Sequence, residues 1–304
     1  MIKYYCKLTN IEIKNNIKKI RMRNFEIGKE SIAENDYLRS EHIREIFQNT
    51  TQIENSSTEV YIPRIIIQFW HDKNHIPKDV QDCIDSWSIL EGQGFKRLLF
   101  DDYTAREYIL KELGNTYANA FDRCHHPAMR CDYFRLCYIF LVGGFYVDAD
   151  EVYQGADYNY LFQNNNLKVQ PFCYDISTDS MINPEIFIKQ RKYSKDWIFY
   201  VNNNPIIAPP NHHLIHLALE RATKLLLDSD KEQLDIQSTT GPGNLSASLV
   251  RYSIECRKRD IQFDFSILSD WESISQNKWF LSYRNDNRNW RIWNAKGLWR
   301  NSIL

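Results

Sequence analysis

One stretch limits what this chain can fold into more than any other, the run from Met129 to Val152. Its first half is apolar with Asp132 and Arg135 three residues apart, which predicts an amphipathic helix carrying both on one face. Gly143-Gly144 follows as a helix stop, because glycine enters the left-handed region at little cost. Phe145-Tyr146-Val147 is short, apolar and β-prone, so it predicts a buried strand. Asp148-Ala149-Asp150 then falls where that strand leaves its sheet. Two carboxylates one residue apart at a strand end suit a hard cation and an oxygen-rich ligand.

The segments before this block alternate in type. Pro63 opens Ile65-Ile66-Ile67, a β-branched, wholly apolar run that predicts a central strand ending in Gln68-Phe69-Trp70. Asp79 to Leu90 reads as a helix, Lys96 to Phe100 as a second strand ending in Asp101-Asp102, and Thr104 to Leu113 as a second helix. This alternation predicts an α/β fold with a mostly parallel, Rossmann-like sheet flanked by helices. Ligands of such sheets bind beyond the carboxyl ends of the strands, where all three polar ends would converge on one rim. Further on, strands are expected at 169–174 and 198–208, the second broken by Asn202-Asn203-Asn204-Pro205. Helices are expected at 213–228 and 245–258, the latter after a small-residue loop from Ser238 to Asn244.

Residues 1–60 have another character and are read as a helical, basic N-terminal extension, with 61–304 as the main domain. Lys3, Lys7, Lys14, Lys18, Lys19, Arg21 and Arg23 face the lone early acid Glu12, and Ile13, Ile17 and Ile20 recur at helical spacing. Two readings stay open: peripheral contact with an anionic membrane, or a solvated helix packed on the main domain. A second helix is expected over 30–48. The net charge of −1 gives no electrostatic case for nucleic acid. Seven cysteines, an odd number with no Cys-x-x-Cys, predict buried free thiols in a reducing compartment. With neither a signal-peptide pattern nor a membrane-length apolar run, the expected location is the cytoplasm, at most at the inner face of the membrane.

Asp-x-Asp at a strand end occurs in two enzyme classes. Phosphatases of the haloacid-dehalogenase type carry it near the domain start with threonine soon after; here it lies mid-chain and Glu151-Val152 follow. Nucleotide-sugar transferases are the other class. From Ile62 onward the chain resembles the glycosyltransferase family with the DXD-containing sugar-binding region. That family spans capsule and lipooligosaccharide enzymes, yeast outer-chain mannosyltransferases and, distantly, the clostridial glucosylating toxins. The resemblance rests on Ile62 to Trp70, Ser86-Trp87, Leu99 to Asp102, Asp132-x-x-Arg135, Gly143-Gly144-x-Tyr146-x-Asp148-x-Asp150 and Thr240-Gly241-Pro242, in the family's order.

It implies a GT-A fold and a metal-dependent, retaining transfer of a hexose from a UDP- or GDP-sugar to a glycan or lipooligosaccharide. Carried over by position, Gln68, Phe69 and Trp70 would line the base and ribose pocket. Asp132, Arg135 and Tyr146 would face the donor sugar, with Thr240 and Gly241 beside it. Asp148 and Asp150 would hold Mn²⁺ or Mg²⁺, and the four charged residues Asp132, Arg135, Asp148 and Asp150 form the catalytic set. One departure stands out, for Arg291 occupies the place of a histidine that often completes the metal shell. Arginine cannot ligate a cation. Either water, Asn294 or Asn289 fills that position, or Arg291 contacts the diphosphate. Two alternatives remain open, a toxin-like transferase acting on a protein and a catalytically silent nucleotide-sugar-binding module. His125-His126 and His212-His213 lack a third ligand at a zinc spacing and read as capping or polar histidines. A pattern of Asn204, Ala208 and Pro210 adds His212 as a loop residue near the sugar.

Overall fold

The computed structural model describes residues 31–49, 61–228 and 234–295. The basic segment before residue 31, Cys6 and Trp299 lie outside the described residues, as do the side chains of Asn294 and Ala295.

Strand β1 (Ile65–Phe69) lies between β2 (Lys96–Phe100) and β3 (Gly144–Tyr146), parallel to both. Backbone bonds extend both pairings past the strand ends, Trp70 N–H to Phe100 O at 2.9 Å and Val147 N–H to Ile67 O at 3.1 Å. Next to β3 come β7 (Trp197–Ala208) and β5 (Leu167–Asp175), then the short β6 (Ser180–Met181), while β8 (Phe265–Ile267) pairs β5. β7 runs antiparallel to β3 and β5, and β6 antiparallel to β5, so five of the seven strands point one way. The fold is therefore α/β, with a mostly parallel central sheet flanked by helices. A separate ribbon pairs β4 (Glu151–Tyr153) with β9 (Ser275–Asn277).

The main helices are α1 (Asp36–Asn49), α2 (Lys78–Ser86), α3 (Asp102–Leu113), α4 (Asn115–Asp122), α5 (Pro127–Val142), α6 (His213–Asp228) and α7 (Pro242–Arg259). α1 belongs to the common core. Ile43, Ile46 and Phe47 are buried there, and Ser40 Oγ accepts the Phe199 N–H of β7 at 2.9 Å. Among the described residues no helix is long and apolar enough to cross a membrane.

Three expectations change. α5 is not amphipathic: Met129 and Asp132 through Ile139 are all buried, so the helix passes through the interior. A helix apolar on every side is a core helix. β7 runs unbroken through Asn202 to Pro205, because the asparagine side chains find partners and β5 takes up a register shift opposite, between Lys168 and Gln170. The loop expected before α7 contains a helical turn, Ile236–Thr239, and α7 begins at Pro242, a residue suited to the first helical position. The described cysteines are all free, and five of the six are buried.

Gly143 and Gly144 let α5 stop and β3 start with a single residue, Gly143, between them. Their φ angles are +73° and +115°. A Cβ on Gly143 would lie 2.7 Å from Ala208 O, and one on Gly144 2.9 Å from Ile65 O. Only glycine fits both the angle and the space. This tight corner returns the chain so that Asp148, 13 residues after Arg135, meets its guanidinium at the rim.

Candidate active site

The site begins in the buried half of α5. Asp132 is 8% exposed and Arg135 2%. Arg135 Nη2 lies 3.1 Å from Asp132 Oδ1 and donates to Asp148 Oδ1 at 2.7 Å, so one guanidinium serves acids from a helix and a strand end. Its Nη1 donates to the carbonyl of Asn203, and its plane lies 4.3 Å from the Tyr146 ring centre. Tyr146 Oη is 2.8 Å from Cys131 Sγ, which also accepts from Arg135 at 3.3 Å. Burial and the neighbouring acids Asp148 and Asp132 push the Cys131 thiol up to about 12 despite Arg135, leaving it a packing group.

Burial raises the Asp132 carboxyl above the usual range, against the pull of Arg135, Asn203 and Thr240. Burial also raises Asp148, to about 6, with Arg135 opposing and Asp150 reinforcing. Burial alone would weaken proton binding by Arg135, yet Asp148, Tyr146 and Cys131 reverse that and hold it charged. A buried guanidinium between two carboxylates is costly to form, and losing one partner strands the others.

The asparagine run of β7 wires these acids together. Asn203 Nδ2 donates to Asp132 Oδ1 at 2.9 Å. Asn204 Oδ1 accepts the Asp148 N–H at 2.9 Å, while its Nδ2 donates to Glu151 Oε1 at 3.0 Å. Asn202 Nδ2 donates to Gln170 Oε1 at 2.9 Å. Glu151, also held by the Ser275 hydroxyl, is raised to about 8 by burial and so stays largely protonated at neutral pH. Thr240 Oγ1 reaches Asp132 Oδ2 at 3.4 Å, and Gly241 caps α7 with its Cβ position 3.1 Å from Gln237 Cα.

Asp150 faces a different neighbourhood. Its Oδ2 accepts from Tyr283 Oη at 2.7 Å and from the Arg284 guanidinium. Its carbonyl accepts the Lys278 N–H at 2.9 Å. Tyr283 and Arg284 sit on a turn, Ser282–Asn285, tied back to α2 where Asp79 accepts the Ser282 N–H and hydroxyl, the latter at 2.9 Å. Beyond the turn comes α8 (Trp290–Ala295).

The structure brings Asp132, Arg135, Tyr146, Asp148 and Thr240 into one hydrogen-bonded cluster, with Asp150 beside it. Gln68, Phe69 and Trp70 end β1 and are buried; Trp70 is 7% exposed beneath Tyr283, 5.3 Å away edge-on, with the Arg288 guanidinium 6.0 Å over its ring. Arg291 lies 5.5 Å over Trp279 and 4.6 Å over Trp290, with no carboxylate ion pair among the described residues. Burial, then the charge of Arg284, lowers its proton affinity. Asn289 is engaged elsewhere, donating to Arg284 O at 2.7 Å, and the Asn294 side chain lies outside the described residues. Asp101 caps α3 through Thr104, and Asp102 pairs with Arg130 at 2.8 Å, so these acids brace the rim instead of lining it. His126 caps α5, and His212 sits at the start of α6, 3.0 Å from Asp264.

Sequence reasoning missed Asn203, Glu151, Tyr283 and Arg284. Three asparagines inside a strand are a usable signal, since buried amides need partners. Tyr283 and Arg284 follow no periodic pattern that would single them out.

The donor set suits a hard cation. Asp148 and Asp150 present carboxylate oxygens, and the Arg284 guanidinium already stands in as a cation on Asp150. Among the described residues no cluster of three metal-ligating side chains occurs, so a cation here would draw its remaining ligands from substrate or water. Several buried N–H groups at the site have no partner, namely Gln68 Nε2, Trp70 Nε1, Arg135 Nε, Arg284 Nε and Trp293 Nε1. A cleft of about 580 Å³ is lined by His126, Pro127, Trp293, the turn from Asn285 to Asn287, and Arg288, whose guanidinium also stands over Trp70. That is the size of a small-molecule site.

Residues 77–171 match the family described as glycosyltransferase sugar-binding region containing DXD motif. The matched range includes Asp132, Arg135, Asp148 and Asp150; Gln68 to Trp70, Thr240, Arg284 and Arg291 lie outside it. No curated protein matches the chain. Among solved structures, PaToxG glycosyltransferase is similar over 88% of this chain and 96% of its own, at 13% identity and a TM-score of 0.36. A likeness that distant lends no support to a functional reading.

Proposed function

We infer that this glycosyltransferase, whose residues 77–171 match the family with the DXD-containing sugar-binding region, moves a sugar from a nucleoside-diphosphate donor to a glycan or lipooligosaccharide acceptor with retention of configuration. The observation that carries the donor class is chemical. Unpartnered buried N–H donors and arginines gather beside two carboxylates, an arrangement that suits a ligand rich in oxygen and negative charge. A nucleoside diphosphate joined to a sugar supplies both. Retention and the glycan acceptor rest on the family resemblance alone.

In this reading Asp132 accepts sugar hydroxyls, and Arg135, fixed by Asp148 and Asn203, offers its free Nε–H to the same sugar. The cleft lined by Arg288 and Trp293 receives the nucleoside end. Arg291, lacking an acidic partner among the described residues, reaches the diphosphate. Asp148 and Asp150 would hold Mn²⁺ or Mg²⁺, which when bound supplies Lewis-acid neutralisation of the departing diphosphate. Oriented acceptors and donors of this kind act by preorganisation, because they need no rearrangement as charge develops.

The test is a thermal-shift panel of UDP- and GDP-sugars with and without Mn²⁺. A true donor at about 100 times its Kd stabilises the fold by about 2.7 kcal/mol, and the gain should require the cation. No shift with any nucleotide sugar, with or without Mn²⁺, contradicts the reading.

A further inference from the structure

We propose that Arg284 is an exchangeable counter-ion. It neutralises Asp150 while the site waits, and it passes to the donor's diphosphate when a divalent cation takes Asp150. The inference rests on the donor reading above and adds a residue and an order of events to it.

Four observations support the exchange. First, the Arg284–Asp150 pair is largely shielded, with side-chain exposures of 11% and 13%. A carboxylate withdrawn from water needs a partner, so an uncompensated Asp150 would be expensive before a cation arrives. Second, the guanidinium is only partly satisfied. One nitrogen serves both Asp150 and Asn277 Oδ1, the latter at 2.9 Å, while the buried Nε–H has no acceptor. Third, the backbone of the turn has its own anchors, in Ser282 to Asp79 and in Asn289 Nδ2 to Arg284 O at 2.7 Å. The side chain can therefore swing while the turn stays. Fourth, a landing place is present. Arg284 lies 4.8 Å over the Trp279 ring, and Arg291 lies 5.5 Å over the same ring, with no carboxylate ion pair among the described residues. Two guanidiniums on one exposed indole form a cradle for an anion carrying two charges.

The order follows from Coulomb's law. A divalent cation on Asp150 would face the Arg284 charge a few ångströms away and repel it. The nearest uncompensated anion is then the diphosphate. Asp148 keeps its own arginine throughout, because Arg135 is locked by Asn203 and Asp132 as well.

The test uses the full chain and the variants Arg284→Gln and Arg284→Lys, with Mn²⁺ binding followed by electron paramagnetic resonance and UDP or GDP binding by calorimetry. Arg284→Gln should bind Mn²⁺ alone about tenfold more tightly than the wild type, since nothing charged competes for Asp150, and nucleoside diphosphate with Mn²⁺ about tenfold more weakly. Arg284→Lys, which keeps a competing charge, should hold Mn²⁺ affinity near the wild type and serves as the readout if the glutamine variant fails to fold. Unchanged or weaker Mn²⁺ binding in Arg284→Gln, or an Arg284→Lys that binds Mn²⁺ tenfold tighter, overturns the exchange. Should the wild type bind Mn²⁺ and nucleotide normally in those cases, the donor reading survives. If the wild type binds neither, both fall.

Discussion

Arg135 and Arg284 each neutralise one acid of the same Asp-x-Asp, yet they come from regions built on different principles. Arg135 stands on a helix that crosses the interior, locked by Asp132, Asp148, the Asn203 carbonyl and the Tyr146 ring. Arg284 stands on a four-residue turn fixed by side-chain bonds to α2 and by its own contact with Asp150. The first region is scaffold, where the ion cluster and the fold are one cooperative unit. The second is a turn that shares a small apolar cluster with Trp70 and α2, through Leu281 and Tyr283, and sets charge beside Asp150. Under the proposed function, a site divided this way keeps the Asp132–Arg135 wall rigid while the Arg284 side rearranges.

The sharpest way to break this contrast is to remove each arginine in turn. Arg135→Met should destabilise the protein by about 3–5 kcal/mol, because Asp132 and Asp148 are left buried without compensation. Arg284→Met should cost less, about 1–3 kcal/mol, because Asp150 loses its cation but keeps the Tyr283 hydroxyl as a donor. Chemical denaturation of the two variants measures this directly. Equal losses would make both regions scaffold.

A smaller effect concerns the cap of α5. His126 Nδ1 accepts the Ala128 N–H at 3.0 Å, and its other ring nitrogen lies 3.0 Å from the Asn287 carbonyl, so this residue joins the two regions. Burial pushes the imidazole down from 6.5 to about 4. A depressed pKa means that the unfolded chain binds the proton more readily. The His126 contribution is therefore fully present above about pH 6.5 and is lost as pH falls through about 4, amounting to at most about 3 kcal/mol. His126→Asn keeps a capping acceptor without the titration, so the loss of stability between pH 6.5 and 4 should be shallower in that variant. Identical acid limbs would show that the cap does not carry the dependence.

The smallest expected effect is on the turn itself. Ser282→Ala removes the hydroxyl bond to Asp79, an exposed contact worth about 0.5–1 kcal/mol. Melting should barely change, while the donor KM rises a few-fold because Arg284 is less well placed. A large fall in melting temperature would mean that the turn belongs to the scaffold after all.

How much could be read from the sequence follows the same division. β2 and α6 match their expected bounds, and β1, β3 and α5 appear where apolar runs, Pro63 and the double glycine put them. These are regions where burial dictates residue type. The expectation of an amphipathic α5 failed because periodicity in a segment apolar on most sides cannot tell a half-buried helix from a fully buried one. The break expected in β7 failed because propensity counts asparagine against strands and is blind to distant partners such as Asp132 and Glu151. Tyr283 and Arg284 were illegible for a plainer reason. They sit in a turn with no repeat, and only the folded chain shows that it crosses Asp150.

The central claim, that Asp148 and Asp150 anchor a nucleotide-sugar site, is tested most directly by donor turnover in Asp150→Asn. The measurement is nucleoside diphosphate released from UDP- and GDP-sugars with Mn²⁺, water serving as acceptor, beside a melting curve for each protein. With the melting temperature close to the wild type, release should fall at least about 100-fold, the scale expected when a group that stabilises developing charge is lost. An Asp150→Asn protein that releases nucleoside diphosphate at the wild-type rate would contradict the account.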